Sequence, residues 1–121
     1  MITINTIEID VLTSIISIKG ELSPGSDGNN EAKKMKQAVE NLPKEKTRII
    51  LNLLDLIYTF GDYFNGFLFI PLYKRQIKFN VVAHGETSEA LNHLIEKNGI
   101  NKILNIVIYD NAEDAVLALT E

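Results

Sequence analysis

A chain of 121 residues, 45% hydrophobic and 23% charged, has the size and make-up of one globular domain with a single core. Its formal net charge of −4, from 12 Lys and Arg against 16 Asp and Glu, argues against nucleic acid as a partner. The lack of cysteine excludes disulfides, thiolate metal ligands and cysteine nucleophiles, and fits a reducing compartment. The longest apolar run, Phe67 to Tyr73, is too short to insert across a bilayer. Met1 to Asp10 shows no basic segment leading into an apolar one, so a cytoplasmic protein without a signal peptide is expected.

In chain order, Ile2, Ile4, Ile7 and Ile9 suit an irregular first strand, and Ile15 to Ile18 a β-branched second strand ending at Gly20. Ser23 to Asn30 collects Pro24, Gly25, Gly28 and Asn29, which reads as a loop. Asn30 would then cap a helix with Ala32, Met35, Val39 and Leu42 on its apolar face, stopped by Pro43. Ile49 to Leu54 shows no alternation, the pattern of a strand buried on both faces. After a turn at Phe60–Gly66, Phe64, Phe67, Leu68 and Leu72 form a helical stripe running to Arg75. Pro71 interrupts that helix or kinks it, and a short strand is the other option.

Phe79 to Ala83 is the next strand. Thr87 can cap the following helix, which carries Ala90, Leu91, Leu94 and Ile95 and closes at Asn98-Gly99. Ile106 to Ile108 gives a last short strand, and Asp110 to Leu119 a capped amphipathic helix. The alternation from Ile49 onward predicts an α/β fold in one domain spanning the chain. Its mixed, largely parallel sheet would have about five strands, with about four helices.

Ligand and partner sites of such sheets lie beyond the carboxyl ends of the strands. The Phe60–Gly66 turn, His84-Gly85-Glu86 and Tyr109-Asp110-Asn111 should gather there, with the Gly20–Asn30 loop as a fourth candidate. The first is the most informative, because a turn joining a buried strand to a helix start favours negative charge, and Asp62 stands there. A plain helix cap is the simplest role for Asp62. Opposite the Phe64–Leu72 stripe lie Tyr63, Gly66, Phe69, Ile70 and Tyr73, so the segment is apolar nearly all round. In a small domain that pattern predicts an exposed apolar surface for a partner.

The order of landmarks resembles a STAS domain, the small α/β module of anti-sigma factor antagonists. The resemblance covers roughly residues 12 to 120. It rests on Ile18-Lys19-Gly20-Glu21-Leu22, the buried Ile49–Leu54 strand, the Phe60–Arg75 turn and helix, Val81–Gly85, Asn98-Gly99-Ile100 and the closing helix. It implies a non-catalytic protein–protein interaction module whose partner is an anti-sigma factor or related kinase-like regulatory protein. In that family the turn reads Asp-Ser-Ser-Gly, with the second serine phosphorylated. Here it reads Phe60-Gly61-Asp62-Tyr63, so Asp62 takes the phosphoserine position as a permanent, partial mimic. If the alignment slips in this turn, Thr59 becomes the only nearby acceptor. The resemblance thus places the regulatory, partner-binding turn at Gly61, Asp62, Tyr63, Asn65, Gly66, Phe69 and Tyr73.

Other readings stay open. A small-molecule sensor or carrier of nucleotides or lipids is the alternative that the resemblance allows, and the aromatic segment could instead form a homodimer. An enzyme would require Asp62, His84 and Asp110 to converge. His84 and His93 lack metal-ligand spacing, so no metal and no cofactor are expected. Lys33, Lys34, Lys36, Lys44, Lys46 and Arg48 read as a solvated basic face around the first helix, or as a dock for an acidic partner.

Overall fold

Isoleucine-rich segments open the fold as an antiparallel pair, β1 (Ile2–Glu8) and β2 (Thr13–Glu21), in register from Ile2 opposite Gly20 to Glu8 opposite Ser14. The computed structural model describes residues 2–22, 26–58, 63–99 and 104–120. After β2 come α1 (Ser26–Glu40), β3 (Arg48–Asn52) and the two-residue β4 (Leu56–Ile57). A π-helical stretch, Asn65–Phe69, runs directly into α2 (Ile70–Lys74). The chain then forms β5 (Lys78–Val82), α3 (Gly85–Asn98), β6 (Ile108–Tyr109) and α4 (Ala112–Thr120).

The sheet order is β1-β2-β3-β5-β6, with β4 paired to the far end of β2. Every pairing except β1–β2 is parallel. The largely parallel sheet and its alternating helices follow the sequence pattern. Ile49, Ile50 and Leu51 are fully buried, because β3 lies mid-sheet between two helical layers. On one face Ile16, Ile18, Ile49, Leu51 and Val81 pack with Ala32, Met35 and Val39 of α1, Leu72 of α2 and Leu91 of α3. On the other, Ile50 and Val82 meet Ala115 of α4.

The structure departs from the sequence reading in several places. α1 starts at Ser26, so Asn30 lies inside it rather than capping it. The apolar stripe downstream sustains the helix through a poorly helical first turn. Residues 26–30 are therefore helix, not loop; 23–25 fall outside the described residues. Thr87 is not the cap of α3, which begins at Gly85 after an extended His84. It is buried in the first turn, where its hydroxyl donates to the Leu56 carbonyl (2.8 Å) and accepts the Tyr58 N–H (3.3 Å). Gly99 does end α3, with φ of 61°. Asn111 rather than Asp110 caps α4: its Oδ1 accepts the Asp114 N–H at 2.9 Å, and its Nδ2 donates to Asp114 Oδ2 at 3.0 Å.

Lys46 is also misplaced by a reading of its neighbours. Lys33, Lys34, Lys36 and Lys44 are exposed, but Lys46 is buried at 4%. Its ammonium donates to Glu8 Oε1 (2.7 Å), the Asp10 carbonyl (2.6 Å) and the Thr13 carbonyl (3.5 Å). It closes the β1–β2 turn against the chain leading into β3. Arg75 does similar work elsewhere, donating to the carbonyls of Val39 (2.5 Å) and Pro43 (3.1 Å) at the C-terminal end of α1.

Candidate functional site

Three connections were expected beyond the carboxyl ends of the strands, and two can be followed. β4 pairs with the end of β2, and Thr87 bonds it to the start of α3. Asp55, Ile57, His84 and Glu86 therefore lie around one depression of about 310 Å³. Its rim is exposed: Ile57, large and apolar, is 58% accessible, and His84 and Glu86 face solvent. Gly85 sits there with φ of 58°, a left-handed conformation that costs a side-chain-bearing residue, and a Cβ would meet nothing within 4 Å. Tyr109 and Asn111 belong to the β6–α4 connection. Thr59, Gly61 and Asp62 lie outside the described residues.

Beyond the turn, residues 63–74 are helical without a break. The proline is accommodated rather than helix-ending. The Ile70 N–H bonds back to the Asn65 carbonyl, and this wide turn lies just ahead of Pro71, which has no N–H to continue an α ladder. The π stretch also changes which residues share a face. At ~100° per residue, positions i and i+5 of an α-helix point apart. In a π turn the i→i+5 bond stacks them. Phe64 and Phe69 accordingly lie on one side, with ring centroids 6.0 Å apart. Phe64 meets Tyr58 edge-on at 4.7 Å, and Phe69 stacks on Phe79 at 5.5 Å.

This overturns the expectation that Phe69 faces outward. It is fully buried, and Tyr63 is also buried, its ring 6.5 Å from that of Phe67. The outer side of the helix carries Gly66, half-buried Phe67 and Ile70, and Tyr73 at 48% exposure. Asn65 is half-buried, and its Oδ1 is enclosed without a hydrogen-bond donor. Gly66 has room for a Cβ, since nothing lies within 4 Å of that point. The exposure of Ile57 was not legible beforehand, since a two-residue strand after Leu54-Asp55 carries no periodicity to read.

His84 and Asp110 are both exposed on separate connections. Among the described residues, no cluster of three His, Asp or Glu side chains could hold a metal ion. No helix among them is long and apolar enough to cross a membrane.

No protein-family profile and no curated protein sequence matches the chain. Solved structures do. An anti-sigma factor antagonist from Mycobacterium paratuberculosis superposes with a TM-score of 0.69 at 21% identity, over 100% of this chain and 96% of that one. The anti-sigma factor antagonist SpoIIAA in its unphosphorylated form matches with a TM-score of 0.63 at 14% identity, covering 98% and 96%. The phosphorylated form of this Bacillus cell fate determinant gives 0.59 at 16%, covering 97% and 99%. The chain has the fold of the anti-sigma factor antagonists. The STAS-like architecture anticipated from the landmark order thus holds along nearly the whole chain, while identities this low carry no residue roles.

Proposed function

We propose that this protein is a non-catalytic interaction module of a regulatory system and acts as an anti-sigma factor antagonist. Its partner is a kinase-like anti-sigma factor. The observation that carries the reading is the agreement in fold with anti-sigma factor antagonists over 97–100% of the chain. The exposed rim of Ile57, His84 and Glu86 supports it, as does the outer strip of Gly66, Ile70 and Tyr73, which follows Asp62 in the sequence. Asp62 stands in for phosphoserine with one fixed negative charge. The module is then held in one state rather than switched.

The test is a pull-down with the kinase-like anti-sigma factors of the source organism. Ile57→Asp and Tyr73→Ala, both at exposed positions, should abolish or sharply weaken capture, and Asp62→Ala should weaken it. Incubation with the captured kinase and ATP should leave residue 62 unmodified. Capture unaffected by Ile57→Asp and Asp62→Ala would remove the rim as the binding surface, and capture unaffected by Tyr73→Ala would remove the outer strip of the helix. A phosphate mapped to Thr59 would show that the switch is retained at that residue and that the turn is aligned differently.

A further inference from the structure

β1 is the outer strand on one side of the sheet, and nothing in its sequence guards it. Edge strands of natural proteins are usually blunted by a lysine, a proline or a bulge, because a row of open peptide groups invites another strand. Residues 2–12 contain no Lys, Arg, Pro or Gly, and β1 pairs with β2 over its whole length without a bulge. Ile7, Ile9, Val11 and Leu12 are also four of the eight large apolar side chains exposed among the described residues. Open backbone and exposed apolar surface therefore coincide.

Hydrogen bonds near its ends fix which peptide groups are open. The Ile9 N–H reaches the Thr13 carbonyl (2.9 Å), so in this antiparallel ladder the odd-numbered residues bond to β2 and the even-numbered ones point away from it. Two other bonds agree: the Ile2 N–H goes to Glu31 Oε2 (2.9 Å), and the N–H of Gly20, opposite Ile2, turns to the Asp55 carbonyl (3.1 Å). The Asp10 N–H is taken by the Thr13 carbonyl (3.2 Å). The open run is Ile4, Thr6 and Glu8, closed at both ends and centred on Thr6.

We infer that β1 pairs antiparallel with β1 of a second copy of this chain, about a two-fold axis at Thr6. In that register Ile4, Thr6 and Glu8 of one copy meet Glu8, Thr6 and Ile4 of the other, and every open group is used. Moving the axis to Asn5 or Ile7 calls on the occupied Ile2 or Asp10 N–H. Charge agrees with the register. The even-numbered side chains lie on the α1 face, where Ile4 packs against the main core, and Lys34 of α1 stands at the Ile2 end with its Nζ 3.0 Å from Glu31 Oε2. Lys34 shares with Ile4 and Thr6 an open groove that no acidic side chain lines. Glu8 of the second copy, opposite Ile4, brings its exposed carboxylate to that lysine, and the axis repeats the contact. On the other face, Ile7 lies opposite half-buried Ile15, clear of α4, which packs on β3, β5 and β6. The axis sets the two copies' Ile7 side chains diagonally across the new pair and joins them with Ile15 into one apolar band. One short strand is at the low end of interface sizes, so the dimer is weak and concentration-dependent. It is separate from the carboxyl-end rim and does not depend on the partner reading.

Sedimentation velocity of the purified chain from about 10 µM to 1 mM tests this, with a monomer passing into a dimer across that span as the expected result. Thr6→Pro should hold the chain monomeric, since it removes an N–H that β2 does not use; circular dichroism and melting should match the parent. Ile7→Lys, at an exposed position, should weaken the dimer about tenfold or more, and decides alone if the proline variant fails to fold. Glu8→Gln should weaken it about two- to fivefold. A monomer at every concentration would overturn the second copy as occupant and leave the edge to an extended segment of another protein. A dimer of equal strength in Thr6→Pro and Ile7→Lys, or one lost instead in Tyr73→Ala, would overturn the β1 edge as the contact. An unchanged dimer in Glu8→Gln would overturn the register about Thr6.

Discussion

Lys46 shows how much one side chain depends on where its chain closes. Its sequence neighbours are solvated cations, but its ammonium fills the gap under the β1–β2 turn and uses its donors on two carbonyls and Glu8. The Glu8 side chain is 67% exposed, so the ion pair itself is screened by water, and the carbonyl bonds matter more. Lys46→Met should therefore cost about 1–3 kcal/mol by removing two charge-assisted hydrogen bonds, although both carbonyls keep a backbone donor in the turn. Glu8→Gln should cost less than about 1 kcal/mol. Urea unfolding of the two variants checks this; equal losses would contradict it. Glu31 contributes to the pH dependence. The Ile2 N–H at 2.9 Å, and then Lys34 at 3.0 Å, hold its carboxyl below the ordinary value of 4.5. A folded-state pKa below the unfolded one gives stability that is complete above the ordinary value. That stability is lost as pH falls through the lower one. Acid unfolding of Glu31→Gln should be flatter than that of the parent below about pH 4.5, with little difference between their slopes at neutral pH. An identical acid limb in both proteins would count against the assignment.

Among the elements, strands were legible where composition alone decides: β-branched runs bounded by glycine, asparagine or proline gave β2, β3 and β5 to within a few residues. Ile106–Ile108 is a strand by composition, yet pairing begins later, at Ile108, because Val81 takes up Val107 only through a single N–H. The helix after the turn was harder. Pro71 was visible in the sequence, but its remedy was not, because a π turn is a backbone adjustment to tertiary packing rather than a pattern of residue types. A 3.6-residue wheel therefore put Phe69 outside, where five-residue spacing puts it in. Two substitutions separate these geometries. Phe69→Ala should lose roughly 3–5 kcal/mol, the scale for deleting a buried aromatic ring. Tyr73→Ala, half exposed, should lose much less. Comparable small losses would return Phe69 to the surface. Gly66→Ala should gain about 0.5–1 kcal/mol, since its Cβ meets open space and its φ is not positive. A destabilised Gly66→Ala would mean that the helix surface there is more crowded than described.

For the molecule as a whole, alternation of strands and helices was enough to place a parallel sheet and its working edge, because parallel strands need helical crossovers. The sequence could not reveal that β4 and Thr87 stitch that edge together, since a buried threonine bridging Leu56 and Tyr58 has no local signature. The account rests on one location, the carboxyl-end rim, as the surface offered to a kinase-like anti-sigma factor. Hydrogen–deuterium exchange of the chain, free and bound to that partner, reads the location directly. Slowed exchange over 55–66 and 84–88, with β1 and α4 unchanged, is the predicted result. Protection confined to β1 or α4, with the rim exchanging as in the free chain, would contradict it.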